Sequence, residues 1–374
     1  MARALGAAVL LATTLAAAGQ AAAHVPDVIV FTNGDQLTGT LEHGAGDTVV
    51  FKSDMAGELT IPLAKIKELR VAGNYALLRK SQPLTTQHVL PGSIALKGGA
   101  IQLTVPGTPV QTIPVSDIAF LVDGPTYTKQ LAAEPGLFHA WKGNVNAGAS
   151  LVRSTESATT FTVGVSLERA IPTVPYLPAR NRTLFNLDET YGRQTQPVIP
   201  QTTPPSPDVV TTTSIFHTGA ERDEYLSARG FALASLAYDH NYAQGLNLQQ
   251  VYGFGFGYTL LQTTAQHLEV KGDLHYERQS FQTPANNQNL IGATLGENYL
   301  RHLPRKVIFT ESATVLPAFN NASAFSANLA AGIALPVYKR LSANFTTLDN
   351  YLNDPPAGYK KNSYQFLTTV AYSF

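Results

Sequence analysis

The chain has 374 residues, enough for two or three domains. Lys+Arg and Asp+Glu stand at 26 each, so the formal net charge is zero and nothing in the composition recruits nucleic acid. Cysteine is absent, which excludes disulfides and thiolate metal sites. Charged residues make up 14% of the chain, against roughly 25% in an average soluble domain, and Thr, Ser, Asn, Gln and Gly fill the gap. That mixture suits β-strands with one apolar and one wet face.

The first segment reads as a secretory signal over residues 1–23. Arg3 supplies the positive start, Ala4 to Ala18 the apolar stretch, and Ala21-Ala22-Ala23 before His24 the small-residue cleavage site. No later run approaches the roughly 20 apolar residues of a spanning helix, so a membrane crossing by the rest of the chain requires a closed β-barrel.

Residues 24–123 contain an internal repeat. Leu59-Thr60-Ile61-Pro62-Leu63-Ala64-Lys65-Ile66 returns as Gln111-Thr112-Ile113-Pro114-Val115-Ser116-Asp117-Ile118. Short strands and glycine-rich turns such as Gly34-Asp35 predict a tandem of small SH3-like β-modules, periplasmic if the chain is exported. Each is near the size where a core is marginal, so they are expected to pack on each other or on a C-terminal barrel. Such modules bind peptides, glycans or envelope proteins, or serve as spacers. Residues 124–137, bracketed by Gly124-Pro125 and Pro135-Gly136, read as a linker.

From Phe138 to Phe374 the pattern becomes long alternating segments. Leu268, Val270, Gly272, Leu274 and Tyr276 alternate with Glu269, Lys271, Asp273, His275 and Glu277, and Tyr252, Phe254, Phe256 and Tyr258 alternate with Gly253, Gly255 and Gly257. About twelve strands are predicted: 138–152, 158–170, 180–193, 209–224, 229–240, 246–260, 266–282, 288–301, 305–317, 322–336, 340–353 and 361–374. Short connections (226–228, 262–264, 302–304, 338–340) oppose longer Pro/Asn-rich ones (194–208, 283–287, 354–360), the pattern of an outer-membrane barrel. The segments are also about twice the usual soluble strand length of 5–6 residues. Trp141, Tyr252, Tyr258, Tyr276, Tyr372 and Phe374 are placed in membrane-facing aromatic girdles. The terminal Phe374 resembles the signal read by the outer-membrane assembly machinery. Lipid sets the orientation: a Lys facing the bilayer midplane costs about 2–4 kcal/mol, so the face from Glu269 to Glu277 must turn inward.

The segment from Ala243 through Gly253-Phe254-Gly255-Phe256-Gly257-Tyr258, then Gly272-Asp273-Leu274-His275-Tyr276-Glu277, carries a resemblance. So do Trp141-Lys142-Gly143, Tyr351-Leu352-Asn353-Asp354-Pro355-Pro356, Lys360-Lys361 and the closing Tyr372-Ser373-Phe374. Over roughly residues 138–374 the chain resembles the YdiY-like, salt-stress-induced outer-membrane proteins, a domain of unknown function. The family pattern is broken at Arg153-Ser154-Thr155-Glu156 and by the Pro/Thr-rich stretch 194–213. The resemblance implies fold and location, and no activity.

The candidate site is the predicted lumen cluster of Lys142, Glu168, Glu269, Lys271, Asp273, His275 and Glu277. It either lines a narrow pore and selects solutes, or pairs internally and stiffens a filled barrel. Glu269, His275 and Glu277 share a face, as a metal site would need, but scattered lumen charges are much the commoner meaning of such a pattern, and no metal or cofactor is expected. A hydrolase would need Ser235 with His217 or His275, and no nucleophile elbow supports it. The expectation is therefore a non-enzymatic barrel of the cell envelope: a narrow solute channel or an envelope-integrity protein. Its expected partners are outer-membrane lipid, the assembly machinery at Phe374 and a periplasmic protein or glycan. A barrel-anchored periplasmic binding or assembly protein and an outer-membrane lipid hydrolase are the alternatives.

Overall fold

The structure is a computed structural model, described over residues 26–82, 89–132, 135–154, 157–174, 176–198 and 207–374. The predicted signal lies outside the described residues. The chain divides into two compact units, Met1–Thr128 and Lys129–Phe374. The break falls within the stretch read as a linker. That stretch is helical over residues 124–132, with one turn at Gly124–Thr126 capped by the Asp123 carboxylate and a further turn at Tyr127–Ala132.

The first unit is a nine-stranded antiparallel sheet. Its strands are β1 (Asp27–Phe31), β2 (Gln36–Ala45), β3 (Thr48–Ser53), β4 (Gly57–Pro62), β5 (Ile66–Arg79), β6 (Gly92–Lys97), β7 (Ala100–Thr104), β8 (Gln111–Pro114) and β9 (Ile118–Asp123). They order as β4-β3-β2-β1-β5-β6-β7-β8, with β9 pairing β2 and β5. Both repeat copies end alike. A Pro (62 or 114) leads into a single 3-10 turn, and a buried Ile (66 or 118) opens the next strand. The copies pack on each other as one body. Ile29, Leu41, Val49 and Phe51 share one core with Ile94, Leu96, Ile101 and Leu121. Neither copy alone has the apolar volume to close a core, and pooling both faces supplies it.

Asp27 ties this sheet together. Its carboxylate is buried and accepts the backbone N–H of Leu41 at 2.7 Å and of Ala72 at 2.8 Å, fastening β2 to β5. The Tyr75 hydroxyl donates to the Leu41 carbonyl across the same core.

The second unit is a closed antiparallel barrel of twelve strands. These are β10 (Trp141–Arg153), β11 (Ser157–Ile171), β12 (Asn181–Gln196), β13 (Val209–Tyr225), β14 (Gly230–Asn241), β15 (Leu246–Gln262), β16 (Gln266–Phe281), β17 (Gln288–His302), β18 (Ile308–Leu316), β19 (Ser326–Tyr338), β20 (Leu341–Leu352) and β21 (Asn362–Ser373). Each pairs with its sequence neighbours. β10 meets β21 through Asn144↔Ser373 to Ala147↔Val370, and Phe374 exchanges backbone bonds with Gly143. One connection departs from expectation: residues 172–180 form a longer segment at the short-turn end.

The period-two alternation turns most of the large apolar side chains outward, with Glu189, His240, Arg222 and Glu224 as polar exceptions on that face. Phe254, Phe256, Leu274, Leu295, Phe366 and Val370 all point outward and are about 60% exposed or more. A soluble protein rarely leaves so large an apolar surface bare, whereas hydrocarbon covers it at no cost.

The first unit yields two tests. Asp27→Ala orphans two backbone donors, and it should lower the unit's unfolding free energy by about 2–3 kcal/mol in urea titration. Burial pushes the His43 imidazole below its ordinary value of 6.5, against the pull of Glu58 and Glu42. The unfolded chain therefore takes up a proton that the folded one refuses, and stability should fall as pH drops below 6.5. The urea midpoint should be lower at about pH 5.5 than at about pH 7.5, and His43→Gln should flatten that difference.

Candidate functional site: the barrel lumen

The site begins with the glycines of β15. Gly253, Gly255 and Gly257 face inward, while Tyr252, Phe254, Phe256 and Tyr258 face outward. A Cβ on Gly257 would lie 2.1 Å from Cζ of Phe231, and one on Gly255 would lie 2.0 Å from the Gly272 carbonyl. β15 thus presents a trough, and neighbouring strands fill it. Phe231 from β14 lies over Gly257, and Asp273 from β16 lies over Gly253.

Arg182 builds on that floor. Its guanidinium sits 5.3 Å from the Phe231 ring centroid and 6.0 Å from that of Tyr225. Nε donates to Asp223 at 2.7 Å, and a terminal nitrogen donates to Glu269 at 2.8 Å. Arg182 is on β12 and Glu269 on β16, so the pair spans the three strands between them. The side chains of Arg182, Asp223 and Glu269 are 11%, 0% and 3% exposed. Buried charges persist only when paired, and removing one partner leaves the other uncompensated. Lys271 crosses likewise to Glu221 of β13 at 2.5 Å. Nearer the long-loop end, His275 sits among Thr294 (2.9 Å), Asp273 (3.5 Å) and Glu277 (3.5 Å). Gln249 and Gln279 both donate to Glu277.

The long-loop end is also crossed. The Gln244 amide donates to the Asn350 and Lys361 carbonyls on the opposite wall, and the Tyr359 hydroxyl donates to Gln282 at 2.7 Å. Leu246, Phe281 and Leu352 meet there as an apolar cluster. Between the two levels lies a chamber of about 560 Å³. A smaller one of about 290 Å³ opens toward the short-turn end, lined by Lys142, Glu168 and His267 among others.

All seven lumen residues named from the sequence face the interior, but they do not form one cluster. Glu269 joins Arg182, Lys271 joins Glu221, and Asp273, His275 and Glu277 form a third group. The six aromatics expected on the membrane face point outward, and the Trp141 indole donates to the Leu137 carbonyl at 2.8 Å. Sequence reasoning missed Arg182, Asp223, Glu221 and Phe231. A signal was present in Glu221 and Asp223: like charges two apart on an inward face demand a cation from elsewhere.

The serine and histidines considered for hydrolysis are not brought together. Ser235 faces Gly253, His217 bonds Asp239 at 2.5 Å, and His275 is held as above. A different pair does meet on the outward face. Ser214 Oγ lies 2.7 Å from His240 Nε2 and donates to Glu189 at 2.8 Å. The carboxylate thus accepts the serine hydrogen bond instead of orienting the imidazole, the reverse of what an acyl-transfer triad needs. Among the described residues, no group of three or more His, Asp or Glu side chains could hold a metal ion.

A closed twelve-strand barrel, oily outside and polar within, defines the class of membrane-type β-barrels. Within that class, the profile of the family described as "Protein of unknown function, DUF481" matches residues 145–374, and the chain belongs to this family. No curated protein matches the chain. Solved structures similar to it include the COG4313 outer membrane channel from Pseudomonas putida F1, at 12% identity over 65% of this chain and 100% of that chain, TM-score 0.36. The β-domain of the Bordetella autotransporter BrkA is similar at 10% identity over 63% and 98%, TM-score 0.32. The translocator domain of the autotransporter NalP from Neisseria meningitidis is similar at 12% over 63% and 90%, TM-score 0.31. The assignment of architecture rests on the strand ladder itself.

The trough makes a sharp prediction. Gly257→Ala places a methyl inside the Phe231 ring and should abolish the heat-modifiable electrophoretic shift of the folded barrel. Adding Phe231→Ala to that variant should restore part of it, because the clash is then gone.

Proposed function

We propose that this is a non-enzymatic outer-membrane barrel that serves as a narrow, normally occluded solute pathway and contributes to envelope integrity. The observation that carries the reading is the lumen: a chamber of about 560 Å³, lined by polar side chains with leucines among them and bounded by side chains that cross from wall to wall. A barrel built only for rigidity has no need of such a chamber. A wide porin would not have the Arg182–Glu269 and Gln244–Asn350 crossings.

The location is supported by the apolar exterior, the closed ladder and the signal-like start. In this reading the short turns face the periplasm, and the first unit lies on that side, where it meets a protein or glycan of the envelope. The salt-stress connection of the resembling proteins enters here as part of the proposal. The reading as a non-enzymatic barrel draws on Ser214, whose hydroxyl donates to Glu189 and so is not offered to the imidazole.

The full-length protein in planar bilayers should show small, infrequent conductance steps. Arg182→Ala opens the lower crossing and Gln244→Ala the upper, and the double variant should raise the open-state current several-fold over either single one. A double variant that inserts but stays electrically silent rejects the pathway.

A further inference from the structure

The chamber has two unlike walls. On one side Asn146, Thr310, Ser312, Asn328, Asn344 and Thr346 present hydroxyl and amide groups, with Leu348 and Leu367 as apolar patches among them. On the other, the ionisable lining among the described residues is Asp188, Asp239 and His217, with His217 Nδ1 bonded to Asp239, and His240, whose side chain turns to the outer face. At the long-loop end, Asn241 Oδ1 and Ser326 Oγ border the same space without a hydrogen-bond partner, although both residues are more than nine-tenths buried. Gln365 Oε1 is a third such atom. A buried acceptor without a donor is costly, and a guest carrying hydroxyl groups removes the deficit.

We infer that this chamber is a binding site for a neutral polyhydroxylated solute, of mono- to disaccharide size. The inference rests on the reading of the lumen as a solute pathway and names what that pathway holds. The volume falls within the roughly 300–1,000 Å³ of small-molecule sites. The hydroxyl and amide wall offers donors and acceptors in similar number and no charge, which matches a solute whose hydroxyls do both. Asp188 and Asp239 supply acceptors for paired hydroxyls and repel anions. The unpartnered oxygens at Asn241 and Gln365 ask for donors, which a quaternary ammonium zwitterion lacks.

The test is isothermal titration of the full-length protein in detergent with sucrose, with glycine betaine and potassium glutamate as the competing chemistries. Titration distinguishes a saturable site from the general stabilisation that excluded sugars give any protein. Asn328→Leu and Thr346→Leu, on adjoining strands, replace wall polarity with bulk, and heat-modifiable migration reports whether each is folded. Sucrose should bind saturably to the native chain, and at least tenfold more weakly to whichever variants fold. Failure of sucrose to saturate, equal affinity in the variants, or tighter binding of betaine or glutamate overturns the proposal. Saturable sugar binding with electrically silent bilayers upholds the site and sinks the pathway. Conductance without saturable sugar binding sinks the site alone.

Discussion

Closure of the strand ladder is the constraint on which everything else depends. In hydrocarbon an unpaired backbone amide has no water to turn to, so a sheet can cross only if its first and last strands meet. Here they meet over Asn144↔Ser373 to Ala147↔Val370, with Phe374 extending the seam to Gly143. β12 and β13, by contrast, pair over their full length from Asn181↔Glu224 to Gln196↔Val209. Once the ring is shut, the two-residue period of the strands separates an oily exterior from a wet interior. The interior charges must then find partners across the lumen.

Those partnerships shape the barrel. The inward glycines of β15 let Phe231 and Asp273 lie against the wall. Phe231 carries the Arg182 guanidinium, and Arg182 draws together carboxylates from β13 and β16. The order of causes runs from a run of alternate glycines, through a close packing contact, to a charge bridge that narrows the passage. The aromatic partners in that run face outward and serve the lipid boundary. One strand therefore meets two demands through its two residue classes.

Much of this was legible in the sequence, because an alternating strand writes its own inside and outside. The twelve strands, their approximate bounds and the inward turn of Glu269 to Glu277 follow from period alone. The bridge to Arg182 does not. Arg182 opens its strand after the proline-containing segment 172–180, where no periodicity announces a face. Its partners Asp223 and Glu269 lie 41 and 87 positions away. In the fourth strand Glu221-Arg222-Asp223-Glu224 blurs the pattern, since Arg222 and Glu224 pair on the outer face at 2.7 Å while Glu221 and Asp223 turn in. The repeat in the first unit was readable as two copies. That they share one core follows from apolar volume, which no local motif records. The Ser214–His240 contact comes from a diagonal register across two strands, and neither neighbourhood in the chain hints at it.

The trough in β15 also divides the labour of substitution around the ring. At Gly253, Gly255 and Gly257 of β15 the neighbours Asp273, Gly272 and Phe231 leave no room for an added methyl, so change there disturbs assembly. On the β18–β21 arc, threonines, serines and asparagines border open space, and exchange among them alters shape and hydrogen bonding without disturbing the hoop. A lineage under pressure to handle a new compound therefore has one flank on which to vary and one it must inherit intact.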